Sequence, residues 1–153
     1  MKMDIKEILG YTINTISIAA FIFLASVIDY PFPWPYFLYI GLILLGFGIF
    51  LVVISILTQI RNRGKGLIDW GIYGIVRHPM YLGAMLLFLS WTFLLPHWLT
   101  SILSIANIAI VYWFILQGEL KNIDLFGREY VAYSKRVPRL NIFTGFLKYL
   151  SRK

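Results

Sequence analysis

Hydrophobic positions in this chain come in runs too long for the core helices of an ordinary soluble domain. Residues 8–28 and 36–60, and the whole stretch between Arg77 and Glu119, carry no Asp, Glu, Lys or Arg. Roughly 20 apolar residues cross the hydrocarbon of a bilayer, so the first two runs each predict one span, whereas the last is about twice that length. Pro96, near its middle, marks the turn that divides it. The pattern predicts an all-α fold, a polytopic membrane helix bundle with about four transmembrane helices over residues 8–28, 36–58, 79–95 and 98–117. The first run is expected to be a retained span rather than a cleaved leader, because it is long, weakly basic in front and has no convincing small-residue cleavage site.

The polar positions between the runs orient the bundle. Cytoplasmic connections retain Lys and Arg during insertion. All 14 Lys and Arg fall before the first run (Lys2, Lys6), between the second and third (Arg61, Arg63, Lys65, Arg77), or after the fourth (Lys121, Arg128, Lys135, Arg136, Arg139, Lys148, Arg152, Lys153). The connections at 29–35 and at Pro96–His97 carry none. Both termini and the central loop are therefore expected in the cytosol, in the plasma membrane of a prokaryote or the endoplasmic reticulum of a eukaryote. On the opposite side, Tyr30, Trp34 and Tyr36 among Pro31, Pro33 and Pro35 read as an interfacial aromatic belt on a stiff turn. Gly41 and Gly48 lie seven apart on one face of the second span, where missing side chains admit a neighbouring helix.

Composition agrees with a bilayer as solvent: 59% of residues are hydrophobic and 14% charged. The formal net charge of +7 is distributed between apolar runs rather than along a soluble groove, which excludes a nucleic-acid partner. Cysteine is absent, so no thiolate nucleophile and no Cys-based metal site can form. The chain reads as a single integral membrane domain over 1–153, too short for a separate soluble Rossmann domain, so any cofactor site must be made of helices and loops.

Candidate chemistry concentrates at the hairpin of the third and fourth spans. Arg77 and Glu119 sit at nearly equal distances from Trp98, and folding the hairpin brings them level at its cytosolic mouth. On spacing alone an interfacial ion pair explains them equally well. The segment Tyr73-Gly-Ile-Val-Arg77-His78-Pro79-Met80-Tyr81-Leu-Gly83 adds weight to function. Pro79 suits the first helical turn, where its missing N–H would have had no partner. The N–H groups of Met80 and Tyr81, at the positive end of the helix dipole, then make a site for a carboxylate, with Arg77 and His78 just outside.

These residues carry a family resemblance. Arg77-His78-Pro79-Met80-Tyr81-Leu82-Gly83 resembles the Arg-His-Pro-x-Tyr-x-Gly signature of the isoprenylcysteine carboxyl methyltransferase and phospholipid methyltransferase superfamily. Upstream, Lys65 to Tyr73 is similar to its stretch ending Gly-x-Tyr. Downstream, the segment from Phe126-Gly127 through Tyr130 and Tyr133 to Val137-Pro138 is similar to its Phe-Gly-x-x-Tyr-x-x-Tyr-x-x-x-Val-Pro ending. The resemblance implies a cytosol-facing site for S-adenosylmethionine and a lateral opening for a lipophilic substrate. Carried over by position, it implies cofactor contacts at Gln59, Lys65, Gly66, Leu67, Ile68, Tyr73, His78, Pro79, Met80 and Tyr81. Glu119 would hold the amino group of the methionine moiety. Two positions depart from the family: Gly118 stands where the first of a pair of acids is usual, and Phe114 and Ile115 stand where the carboxyl methyltransferases have an Arg.

Residues 119–139 read as one amphipathic cytosolic helix, with Tyr130, Tyr133 and Val137 on one stripe and Arg128, Lys135 and Arg136 outside it. On its own such a helix could lie on anionic headgroups. The resemblance makes the tail 118–153 a cofactor cover, with a lid at Val137-Pro138-Arg139.

The implied reaction is methyl transfer to an isoprenylcysteine-type carboxylate or a lipid, with Arg77 orienting a carboxylate and no metal required. Membrane lipids and a lipophilic substrate are the expected partners. Three rivals remain. A sterol-reductase-like oxidoreductase would bind NADPH instead; a small four-span transporter would need an ionisable residue within a span, and the uncharged runs have none; a catalytically silent scaffold would bind no donor.

Overall fold

The computed structural model describes residues 5–27 and 35–151. Among these the chain forms seven helices and no strand: α1 (Ile5–Val27), α2 (Pro35–Arg61), α3 (Ile72–Ile75), α4 (Pro79–Leu94), α5 (Trp98–Phe126), α6 (Arg128–Arg136) and α7 (Ile142–Leu150). The four apolar runs fall on α1, α2, α4 and α5. Of these, α2 and α5 are long and apolar enough to cross a bilayer, while α4 and the stretch Thr12–Val27 are apolar but shorter. The belt at Tyr30 and Trp34, the prolines Pro31 and Pro33, and Lys2, Arg152 and Lys153 lie outside the described residues.

The helices divide into two compact units, one of residues 1–48 and 84–114 and the other of 49–83 and 115–153. In the first, Phe21 is fully buried and its ring stacks on Trp91 with centroids 5.3 Å apart. A Cβ on Gly41 would come within 2.7 Å of the Leu94 side chain, so α2 approaches α4 closely at Gly41. Buried polar side chains find backbone acceptors: Ser90 donates to Leu87 O on its own helix, and Ser104 donates at 2.7 Å to Phe88 O, tying α5 to α4. Hydrocarbon offers no alternative partner to such a hydroxyl. The turn at Pro96 closes through Thr100, whose hydroxyl donates to Leu95 O and His97 O.

In the second unit the chain is punctuated by glycine. Gly64, Gly66 and Gly71 have φ of 82°, 89° and 60°, which lets the connection from α2 to α3 fold tightly without strain. Tyr130, Tyr133 and Val137 form a buried cluster with Leu67 and Phe126 against it, while Lys135 and Arg136 stay exposed. The expected stripe is therefore the face that packs.

Three boundaries differ from the sequence reading. The last long helix does not stop at 117 but continues to Phe126, because residues 118–126 contain good helix formers and no proline. The expected single helix over 119–139 is broken at Gly127, whose φ of 54° and ψ of −127° are inaccessible to a helical residue. Beyond Pro138 a further helix, α7, forms. Asn141 caps it by accepting from Thr144 N–H at 3.0 Å.

Candidate functional site

The site belongs wholly to the second unit and is organised by the start of α4. Pro79 opens that helix and the first intrahelical bond runs from Leu82 N–H to His78 O at 2.9 Å. The amides of Met80 and Tyr81 therefore have no preceding helical turn to bond. Just before Pro79, Arg77 N–H donates to Pro138 O at 3.0 Å and His78 N–H to Arg139 O at 3.3 Å. The segment expected as a lid is pinned by its backbone along the Arg-His pair.

Glu119, on α5, is the charge centre. Its Oε1 lies 2.8 Å from Arg77 Nη1 and 3.2 Å from His78 Nε2. Arg139 adds a bidentate contact, Nε to Oε1 at 3.1 Å and Nη2 to Oε2 at 2.6 Å. Two guanidinium groups and an imidazole converge on one carboxylate whose side chain is only 12% exposed. Burial pushes the Glu119 pKa up, but the Arg139 hydrogen bonds and the Arg77 charge more than offset it and hold the carboxyl below its usual range. Burial also holds the His78 imidazole below its usual range despite Glu119, so the ring is a neutral donor at pH 7. The Arg77–Glu119 pair was legible from spacing; Arg139 was not, since nothing in the tail marks which of its basic residues turns inward.

A cavity of about 340 Å³ opens beside this cluster. Of the residues singled out from the sequence, Gln59, Gly66, Leu67, Ile68, Tyr73, Arg77, His78, Met80 and Tyr81 stand on its wall. Lys65 is exposed, Pro79 is buried in the helix start, and Glu119 is turned to its ion partners; none of the three lines the cavity. Gly118, Asn122, Phe126, Tyr130 and Tyr133 complete the wall and were not singled out as site residues. The signal for Phe126, Tyr130 and Tyr133 was present in the Phe-Gly-x-x-Tyr-x-x-Tyr spacing, whose aromatic residues pack together across the Gly127 break; nothing marked Gly118 or Asn122 as wall residues.

Polar groups hold the wall in shape. Gln59 Nε2 donates to Tyr73 Oη at 2.6 Å, and Tyr133 Oη donates to Tyr73 O at 2.7 Å, joining α2, α3 and α6. Burial pushes the Tyr73 and Tyr133 hydroxyls up, so both remain protonated. Two buried groups of wall residues lack a partner, Arg77 Nε and the Tyr130 hydroxyl. Orphaned polar atoms of this kind cost free energy unless a ligand or water meets them.

The donor set suits a nucleoside carrying an amino acid. Arg77 and the α4 amides favour a carboxylate. Asn122, Gln59 and Tyr73 offer hydrogen bonds for hydroxyls or ring nitrogens, and Leu67, Ile68 and Phe126 offer apolar faces. The volume lies at the low end of the roughly 300–1,000 Å³ of small-molecule sites. An ammonium at Glu119 would have to share an oxygen now held by Arg77, His78 or Arg139.

The chain is similar to two curated proteins. It is 34% identical over 83 residues to protein-S-isoprenylcysteine O-methyltransferase B of Arabidopsis thaliana, a match covering 51% of this chain and 40% of that protein. It is 30% identical over 88 residues to protein-S-isoprenylcysteine O-methyltransferase of Schizosaccharomyces pombe, covering 54% of this chain and 36% of the relative. No family model and no solved structure matches the chain. The resemblance read from the motifs is borne out by these relatives, of which the match spans well under half the length.

Proposed function

We propose that this chain is an integral membrane methyltransferase that moves a methyl group from S-adenosylmethionine to a lipophilic acceptor, either an isoprenylcysteine-type carboxylate or a lipid. The observation that carries the reading is the cavity at the start of α4, where Arg77, His78, Met80 and Tyr81 meet the apolar Leu67 and Ile68. The similarity to two protein-S-isoprenylcysteine O-methyltransferases supports it. α1, α2, α4 and α5 serve as four spans, with the site at the cytosolic face.

The donor supplies an electrophilic methyl on a positively charged sulfur. The protein's task is then positioning and exclusion of water, and such positioning supplies up to roughly 7–11 kcal/mol of a barrier. Arg77 orients a carboxylate; the amides of Met80 and Tyr81 share that role. Gln59, Tyr73 and Asn122 fix the nucleoside end, while Gly66, Leu67 and Ile68 enclose it. Lys65 and Pro79 act from outside the wall, one as a mobile charge and the other by setting the helix start. Glu119 keeps Arg77 and Arg139 in place and offers an oxygen to an ammonium.

Calorimetry on the purified protein tests this directly. S-adenosylmethionine and its demethylated product are expected to bind, and NADPH is not. Binding of NADPH alone would replace the reading with an oxidoreductase. Incubation with labelled donor and a membrane lipid extract then identifies the acceptor; donor binding without any labelled lipid or prenylated peptide would leave a scaffold. Full transfer by Arg77→Ala with unchanged affinities would remove Arg77 from its assigned role.

A further inference from the structure

α7 has three distinct sides. Ile142, Gly145 and Tyr149, spaced i, i+3 and i+7, turn toward the protein. A Cβ on Gly145 would collide with the Ile75 carbonyl oxygen, and the Tyr149 ring stands 3.0 Å from where a Cβ on Gly74 would sit, so α7 lies directly on α3. Thr144 and Lys148 form a polar flank. The remaining side is formed by Phe143, Phe146, Leu147 and Leu150, which are 75%, 48%, 53% and 52% exposed. Their i, i+3, i+4, i+7 spacing makes one continuous apolar strip that no described residue covers.

The charge around the strip is one-sided. From Leu140 to Lys153, the segment that contains α7, the sequence has three Lys and Arg (Lys148, Arg152, Lys153) and no acid, a net of +3. A helix with a bulky apolar strip, a polar flank and basic surroundings suits the boundary between anionic headgroups and acyl chains. A water-facing tail would gain nothing from Phe143 or Leu150.

We propose that α7 is an interfacial anchor: it lies flat in an anionic leaflet with Phe143, Phe146, Leu147 and Leu150 among the upper acyl carbons and Lys148 at the phosphates. Because it rests on α3 through Gly145, its seating steadies the segment from Ile75 into Arg77 and His78. The inference rests on the membrane placement proposed above but not on methyl transfer.

The absence of native cysteine makes the test clean. Single-cysteine variants Phe143→Cys, Phe146→Cys and Thr144→Cys, each carrying a small environment-sensitive fluorophore, are placed in nanodiscs of phosphatidylcholine with or without phosphatidylglycerol. Ile43→Cys on the exposed face of α2 reports whether the span itself is in lipid. Nitroxide-bearing lipid is expected to quench labels at 143 and 146 several-fold more than at 144, and more strongly with phosphatidylglycerol present. Lys148→Gln on the Phe143→Cys background should weaken that lipid contact by about fivefold, the usual increment for one basic residue at an anionic surface. Iodide quenching at 143 and 146 without lipid quenching, while 43 is lipid-quenched, overturns the anchor alone; a label at 43 open to iodide overturns the membrane placement as well. Quenching by lipid that is equal in pure phosphatidylcholine overturns the anionic assignment. Energy transfer between labelled copies in place of lipid contact would make the strip a self-association face and would also overturn it.

Discussion

The two units of this protein share one means of burying polar atoms, a hydroxyl bonded to helix backbone, as Ser55 to Leu51 O in the second, and differ in what they add to it. In the first, hydroxyls and amides bond to helix backbone, as Ser90 does to Leu87 and Asn107 to Leu103, and aromatic stacking such as Phe21 on Trp91 fills the space. The polar contacts among these stay within one helix and are replaceable, while the Phe21–Trp91 stack joins α1 to α4. In the second, one carboxylate gathers two arginines and a histidine from two other chain segments, and the backbone bends through positive-φ glycines to let them meet. That arrangement is non-local and every member depends on the others. The contrast teaches that a bundle of spans can tolerate substitution where its site cannot.

The strongest way to break the contrast is Glu119→Ala. It leaves the Arg77 guanidinium, 11% exposed, without its counter-charge. Removing one partner of a buried pair costs about 3 kcal/mol, and a displaced Arg77 should reduce methyl transfer about 100-fold. Thermal unfolding in detergent and a transfer assay measure the two effects; a loss in stability no larger than for a single hydroxyl of the first unit would erase the distinction. Gly145→Ala comes next. Its Cβ would meet the Ile75 carbonyl, which is backbone and cannot swing away, and overpacking of this sort costs roughly 1–3 kcal/mol. The matched substitution in the first unit, Gly10→Ala, meets the end of the Phe114 ring, a side chain rather than backbone, and should cost less than Gly145→Ala.

A pH series sharpens the comparison further. His78 is held below its unfolded value of 6.5, so its contribution is complete above that pH and is lost as the pH falls through the lower folded value. Glu119, also held below its reference of 4.5, adds a second loss in stronger acid with the same sign. Melting temperature should therefore fall as pH is lowered from 8 to 5, and His78→Asn should flatten the first part of that slope. If the variant melts with the same profile, the imidazole is not the titrating group. The smallest effect is reserved for Ser104→Ala, which removes the bond to Phe88 O and should cost about 0.6 kcal/mol, the usual increment for a hydrogen bond between membrane helices.

The long apolar runs were legible because a bilayer imposes length and composition on any helix that crosses it, and α2, α4 and α5 begin within a residue of the expected positions. Pro79 and Pro96 set two boundaries by the same local chemistry. The Arg77–Glu119 approach was legible because a hairpin fixes the register of its two arms. The break at Gly127 was hidden because apolar spacing continues across it, and only the backbone shows that the residue is left-handed. α7 carried an Asn141 cap and a spaced apolar pattern, but a nine-residue segment after a proline reads easily as irregular tail. Arg139 was indistinguishable in sequence from its basic neighbours, since selecting Glu119 requires the fold of the Pro138 strap.

The two backbone bonds from Arg77 and His78 to Pro138 and Arg139 also fix an order of events during synthesis. Hydrophobic segments can enter the bilayer one after another as the ribosome releases them, but the strap that completes the ionic cluster leaves the exit tunnel only after all of them. A nascent chain stalled short of residue 139 would lack both backbone bonds and the Arg139 contact to Glu119, so the ionic cluster can close only after the four apolar helices have been made.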